Sequence, residues 1–220
     1  MTRLTPMAAA PIFAGLEAGT ISRIAAAGRH EVLEPGAALF HEGDPSDGLY
    51  VVETGLIRVW RTDRDGNPFT LAFLRPGASL GEMALETAPR SANATAQQIA
   101  RLFHLPRASF EGLIGTEPAF ARRMIEVLAA RVRHLNGELH ALAYHSLRAR
   151  LARKLLALCG SEGDTPPPLS QREIAAMLGV TREAVNKHLR ALEKDGALAL
   201  EQGRARILDM GRLRKYLPEV

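Results

Sequence analysis

The chain has 220 residues, 46% of them apolar and 24% charged, with a net charge of +4, which is the ordinary globular range and enough for one large or two small domains. No apolar run approaches the ~20 residues of a membrane span. The start, Met1-Thr-Arg-Leu-Thr-Pro6, lacks the regions of a signal peptide, so the expected location is the cytoplasm with no membrane partner. A single cysteine, Cys159, excludes an internal disulfide and any zinc or iron–sulfur site built from thiolates alone. Within Leu155-Leu-Ala-Leu-Cys159 it reads as a buried small hydrophobe. The charge is uneven: residues 1–145 carry 14 Lys/Arg against 15 Asp/Glu, and residues 146–220 carry 14 against 9. A basic C-terminal third is what a DNA-reading module attached to a neutral module would show.

Residues 12–30 place Ile12, Leu16, Ile21, Ile24 and Ala25 at helical spacing and predict a short opening helix. Turn signals then recur every 7–12 residues, at Pro35-Gly36, Gly43-Asp-Pro45, Gly48, Gly55, Asp65-Gly-Asn-Pro68 and Pro76-Gly77. Between them lie strand-like runs at 49–52, 56–60 and 69–74, with two more near 93–99 and 101–105, a pattern that predicts an all-β barrel, roll or sandwich. Asp65-Gly66 is a tight-hairpin signal. From Glu117-Pro118 the glycines thin out, and Ile125, Leu128, Val132, Leu135, Leu139 and Leu142 alternate spacings of three and four. That is a heptad seam, whose simplest partner is the same helix of a second copy. The alternative is a helix packed on its own β-domain. An amphipathic helix at 147–159 and a Gly/Pro-rich linker at 160–168 follow.

Ser170-Gln-Arg-Glu173 has the form of a capping box for a helix that ends at Gly179, and Thr181 is a suitable N-cap for a second helix containing Val185, Leu189 and Leu192. Helix, short Gly turn and helix make a helix-turn-helix. With the apolar residues facing the core, Arg182, Glu183, Asn186 and Lys187 are left on the open face, and these residue types match the donors and acceptors of bases in the major groove. Ser170, Gln171, Thr181, His188 and Arg190 are candidates for phosphates, which position a protein without specifying sequence. Leu198 to Leu208, turning at Gln202-Gly203, predicts a two-stranded wing with Arg204 and Arg206 near its tip. A last helix is expected near 210–217.

The segment Pro76 to Ala92 contains Gly81-Glu82-Met83 and Arg90-Ser91. Glycine lets backbone N–H groups approach an anion at the start of a helical turn, Arg90 can fork onto a phosphate, Ser91 adds a donor, and Glu82 can accept from ribose hydroxyls. On spacing alone, an internal Glu82–Arg90 salt bridge is an equal reading.

Three blocks resemble the bacterial family of the cyclic-AMP receptor protein and the fumarate–nitrate reduction regulator (Crp/Fnr): Glu34-Pro-Gly with Glu42-Gly-Asp and Leu49-Tyr-Val-Val-Glu-Thr-Gly55; Gly81-Glu82 with Arg90-Ser91-Ala92; and Ser170 through Gly196. The resemblance covers about 12–217 and implies an α+β fold: a β-roll (double-stranded jelly roll) sensor at 1–117, a dimerisation helix at 118–145 and a winged helix-turn-helix at 146–220. It implies a homodimer on a palindromic duplex, a half-site resembling TGTGA, a small-molecule effector and contact with RNA polymerase. It implies that Gly81 and Glu82 hold the ribose side of a cyclic nucleotide, cyclic AMP or cyclic GMP, and Arg90 and Ser91 its phosphate, with Met83 at the same effector site and no covalent cofactor. The family's Thr-Ser pair that meets adenine is matched here by Leu135-Asn136, of which only Asn136 can hydrogen-bond a base, and the loop between Glu82 and Arg90 is slightly shorter than in many such sites. An effector-independent or gas/redox regulator is the alternative, as is a nucleotide-binding module without DNA binding. An enzyme is disfavoured, since no nucleophile–base pair or metal cluster accompanies Glu82, Arg90 and Ser91. A haem ligand would have to be one of His41, His104, His134, His140 or His145, each alone at its site.

Overall fold

The computed structural model describes residues 6–159 and 170–217, apart from 63, 65, 67, 87, 202 and 203, and excluding the side chains of Pro6 and Arg204. The linker at 160–168, Asp65 and Asn67 of the predicted hairpin and the wing turn at Gln202-Gly203 lie outside the described residues. The chain divides into two compact units, residues 1–66 with 71–132, and residues 67–70 with 133–220.

The first unit is a roll of two four-stranded sheets. One has the order β1 (Arg29–Leu33), β8 (Ala100–Pro106), β3 (Gly48–Thr54), β6 (Ser79–Leu80); the other has β2 (Ala38–Phe40), β7 (Asn93–Ala96), β4 (Ile57–Thr62), β5 (Pro68–Leu74). The pairings β1–β8, β3–β8, β3–β6, β2–β7 and β4–β7 are antiparallel. Strand period two sorts the side chains into two cores. Leu49, Val51, Phe103 and Leu105 pack with Phe13, Phe110, Phe120 and Met124 outside the roll. Tyr50, Val52 and Leu102 turn the other way, onto Ile57, Leu80, Ala94 and Ala96 inside it. Phe13 stacks on Phe120 with centroids 5.9 Å apart, and Phe110 meets the same ring edge-on at 6.0 Å.

The predicted helix at 12–30 is corrected here. The chain forms 3-10 turns at Pro6–Ala9 and Pro11–Phe13, then helix α1 at Ala18–Ala27, and residues 29–30 already belong to β1. The strand expected at 93–99 stops at Ala96, and Ile99 is exposed. Helix α2 (Arg107–Thr116) and strands β1, β2 and β6 were not anticipated.

Helix α3 (Pro118–Tyr144) begins in the first unit and ends in the second. Ile125, Val132, Leu135, Leu139 and Leu142 are between 54% and 67% exposed along it, and Leu128 is 37% exposed. The second unit adds α4 (Leu147–Cys159), α5 (Gln171–Leu178), α6 (Arg182–Lys194), the strand pair β9 (Leu198–Glu201) and β10 (Arg204–Ile207), and α7 (Met210–Arg214), shorter than the helix expected over 210–217. Its core joins Leu151, Ala152, Leu155 and Cys159 of α4 to Ile174, Ala175 and Leu178 of α5, Val185, Leu189 and Leu192 of α6, and Leu213. Ser170 and Glu173 form the reciprocal capping box at the start of α5, with Ser170 N donating to Glu173 Oε2 at 2.8 Å and Glu173 N to Ser170 Oγ at 3.2 Å. Replacing Ser170 with Ala is expected to cost about 1 kcal/mol, read as a lower midpoint in thermal unfolding followed by circular dichroism.

Candidate functional site

The first constellation lies at the end of the roll where β6 leads into a 3-10 turn, Glu82–Leu85. Gly81 caps that turn with φ +86°, a left-handed conformation, and a Cβ there would stand 2.5 Å from both Arg90 Nη1 and Gly48 O. Glycine is therefore required twice, for its backbone angle and for the room it leaves to a guanidinium. Arg90 is 5% exposed. Its Nη2 donates to the Asp47 carboxylate and to Gly48 O at 3.1 Å, and its Cζ lies 4.1 Å from the Phe40 ring centroid and 5.5 Å from that of Tyr50. Among the described residues its Nε has no partner. Ser91 Oγ lies 3.8 Å from Met83 Sδ, so Gly81, Glu82, Met83, Arg90 and Ser91 come together as one group.

Glu82 does not pair with Arg90, so the loop-holding salt bridge considered above is corrected. Its Oε1 accepts from Arg131 of α3, whose Nη2 also donates to Ser79 O at 3.1 Å. The second carboxylate oxygen, Oε2, is buried without a partner among the described residues, an acceptor of the kind a ribose hydroxyl would satisfy. Arg131 and Asp47 are the residues that sequence reasoning missed. Arg131 lies on the helix read above only for its apolar seam, and Asp47 makes its contact with a residue 43 positions away. The signal for Arg131 was its place beside the apolar stripe, between Leu128 and Val132. Leu135 is exposed and so is Asn136, both about one turn beyond Arg131 on α3.

Behind Arg90, Asp47 Oδ2 accepts from Tyr50 Oη at 2.7 Å and lies 3.6 Å from His104 Nε2. The Tyr50 and His104 rings stack at 4.3 Å. Burial works to raise Asp47, but hydrogen bonds from Tyr50 and Arg90 outweigh it and hold the carboxyl below its ordinary value. Burial, reinforced by Asp47, pushes the Tyr50 phenol well above 10.0. Burial also lowers His104 below 6.5, against the pull of Asp47 and Glu31. Among the described residues no group of three or more His, Cys, Asp or Glu could hold a metal ion.

The second constellation is the start of α6. Thr181 Oγ1 accepts from Ala184 N at 3.2 Å and caps the helix after Gly179, which sits at φ +64°. Val185, Leu189 and Leu192 are fully buried, and Thr181, Arg182, Glu183, Lys187 and Arg190 are exposed, with Asn186 half-buried beside them. Among the described residues no ion pair engages Arg182, Glu183 or Lys187. Ser170 is exposed and Gln171 half-buried at the start of α5. Burial, Arg148 and Lys187 lower His188 below 6.5. On the wing, Arg206 donates twice to Glu201 Oε1, at 2.9 and 2.7 Å, and is already paired across the strands. The Arg204 side chain lies outside the described residues.

Residues 30–117 match the model of the cyclic nucleotide-binding domain and residues 149–216 that of the Crp-like helix-turn-helix domain. The cyclic AMP receptor protein of Thermus thermophilus is 33% identical over 198 residues, covering 90% of this chain and 92% of its own. The CRP-like cAMP-activated global transcriptional regulator of Mycobacterium tuberculosis is 30% identical over 215 residues, covering 94% and 96%. The crystal structure of a CRP/FNR-family transcriptional regulator, also from Thermus thermophilus, superposes with a TM-score of 0.73 at 27% identity, covering 86% of this chain and 97% of that one. No helix of the described residues is long and apolar enough to cross a membrane. With a nucleotide-binding roll and a helix-turn-helix in this order, the chain belongs to the Crp/Fnr family of DNA-binding transcription regulators.

Proposed function

We propose that the chain acts as a homodimer that grips a palindromic duplex through two copies of α6, and that a cyclic nucleotide in the roll controls that grip. The working parts are a sensor at 1–117, a dimerisation helix at 118–145 and a DNA reader at 146–220, acting in the cytoplasm with RNA polymerase as the downstream partner. One observation carries the reading: α6 buries Val185, Leu189 and Leu192 while Arg182, Glu183 and Lys187 stand exposed on the opposite face. The exposed stripe of α3 supports the dimer. The unpartnered Glu82 oxygen and the buried Arg90 support a ligand with a hydroxyl-bearing sugar and an anionic phosphate. Cyclic AMP is the first candidate, since both relatives named above are called cyclic-AMP-responsive. Cyclic GMP is the second, because Leu135-Asn136 stands where the family has the Thr-Ser pair that meets adenine.

Electrophoretic retardation of a duplex carrying TGTGA half-sites, with each nucleotide titrated, tests the reading. Binding that strengthens with nucleotide and falls steeply with added salt is the expected result; no retained DNA at low ionic strength with either nucleotide would refute it. Arg182→Ala is expected to weaken binding by about 1–3 kcal/mol and relax the choice at one base pair. Equal loss on all sequences would instead assign Arg182 to the phosphates.

A further inference from the structure

Arg90 already holds an anion of the chain's own. The guanidinium is 5% exposed, with Nη2 committed to Asp47 and Gly48 O. Asp47 is held at both oxygens, at Oδ1 by Arg90 and at Oδ2 by Tyr50. Within the same unit Glu82 is neutralised by Arg131. Two guanidinium groups thus face two carboxylates, and these four side chains together carry no net charge.

We infer that Asp47 is a specificity-determining residue that admits a nucleotide carrying a cyclic phosphodiester and rejects one carrying an open phosphomonoester. The inference rests on the nucleotide reading above. A cyclic diester carries one negative charge, whereas a monoester approaches two once its second proton leaves near pH ~6. The first ligand takes the site to one net negative charge, the second to two. Asp47 shares its guanidinium with the incoming phosphate, so it repels each ligand in proportion to that ligand's charge. Were the carboxylate absent, Arg90 would be an uncompensated buried cation and would favour the dianion.

The groups facing Asp47 are Tyr50 on β3, His104 on β8 and Arg90, with Glu31 on β1 3.5 Å beyond His104 Nδ1. The hydrogen bonds to Asp47 keep it ionised near neutral pH, and burial disfavours charge on His104. Between about pH 5.5 and 8 the monoester loses its second proton. A cyclic ligand loses no proton in that range, so its affinity reports any titration of the protein.

Calorimetry on the full chain with cyclic AMP and with adenosine monophosphate, at both ends of that range, decides the matter. For the unaltered protein, monoester affinity is expected to fall about tenfold as pH rises, while cyclic AMP affinity holds. At the upper pH, Asp47→Asn is expected to shrink the ratio of the two dissociation constants about tenfold. The near-isosteric amide can still accept from Arg90, and any misplacement of Arg90 weakens both ligands alike. Monoester binding that tightens with rising pH, or an unchanged ratio in Asp47→Asn, would overturn the inference while leaving the nucleotide reading intact. If Asp47→Asn does not fold, the pH series on the unaltered protein still decides. Failure of the unaltered protein to bind either nucleotide would overturn both.

Discussion

Replacing Arg90 with Leu is expected to weaken cyclic-nucleotide binding at least about a hundredfold and abolish nucleotide-dependent DNA binding, because a forked charge-assisted contact is lost from a desolvated site. Arg90 is the buried cation of the Gly81–Ser91 group, fixed between Phe40, Tyr50, Asp47 and the space left by Gly81. The fold should survive. Leu can occupy the apolar surroundings of Phe40, and the released Asp47 is half-exposed, still bonded to Tyr50 and open to water. Arg90→Lys keeps the charge but not the fork and should recover only part of the affinity. Calorimetry on both variants, with thermal unfolding to verify folding, checks this. Unchanged nucleotide affinity in Arg90→Leu would remove the site assignment.

The parts legible in the sequence were those set by local chemistry. Ser170, Glu173, Gly179 and Thr181 each carry a backbone job their residue type is suited for, and all four do it. The turns at Gly36, Gly43, Gly55 and Gly77 have positive φ, which is why the roll could be read from its punctuation. Helix α2 was invisible for the opposite reason: Pro106 gives it no side-chain cap, and Gly112 and Gly115 interrupt its interior. Strand β1 is largely solvent-facing and β2 has only three residues, two of them half-buried, so neither shows a clean alternation. The site was legible as a pair of dipeptides and not as a circuit. Asp47–Arg90 spans 43 residues and Glu82–Arg131 spans 49, distances over which only the folded roll creates proximity.

Leu135→Asp is expected to dissociate the dimer. In a symmetric pair each substitution occurs twice. Losing two buried leucines at about 2 kcal/mol each removes about 4 kcal/mol, or about a thousandfold in the dimer dissociation constant, before the cost of enclosing carboxylates is added. Leu135 is 54% exposed in the single chain, in register with Val132 and Leu139. Ala130 lies on the outer side of the same helix in that register, so Ala130→Asp introduces an equal charge and should leave the dimer whole. Affinity for a palindromic duplex should fall with the monomer's appearance, since a lone α6 reaches only one half-site. Sedimentation velocity across a concentration series separates the outcomes, and a Leu135→Asp protein that stays dimeric would discard the seam. The same helix carries Arg131, paired with Glu82 and standing one position before Val132 of the stripe. If the seam holds two copies together, the residue that engages the ligand loop flanks that interface directly. Nucleotide occupancy and dimer geometry would then act on one helix, and a monomer made by Leu139→Asp, a seam residue one turn beyond the Leu135-Asn136 pair, should bind nucleotide without transmitting it to DNA.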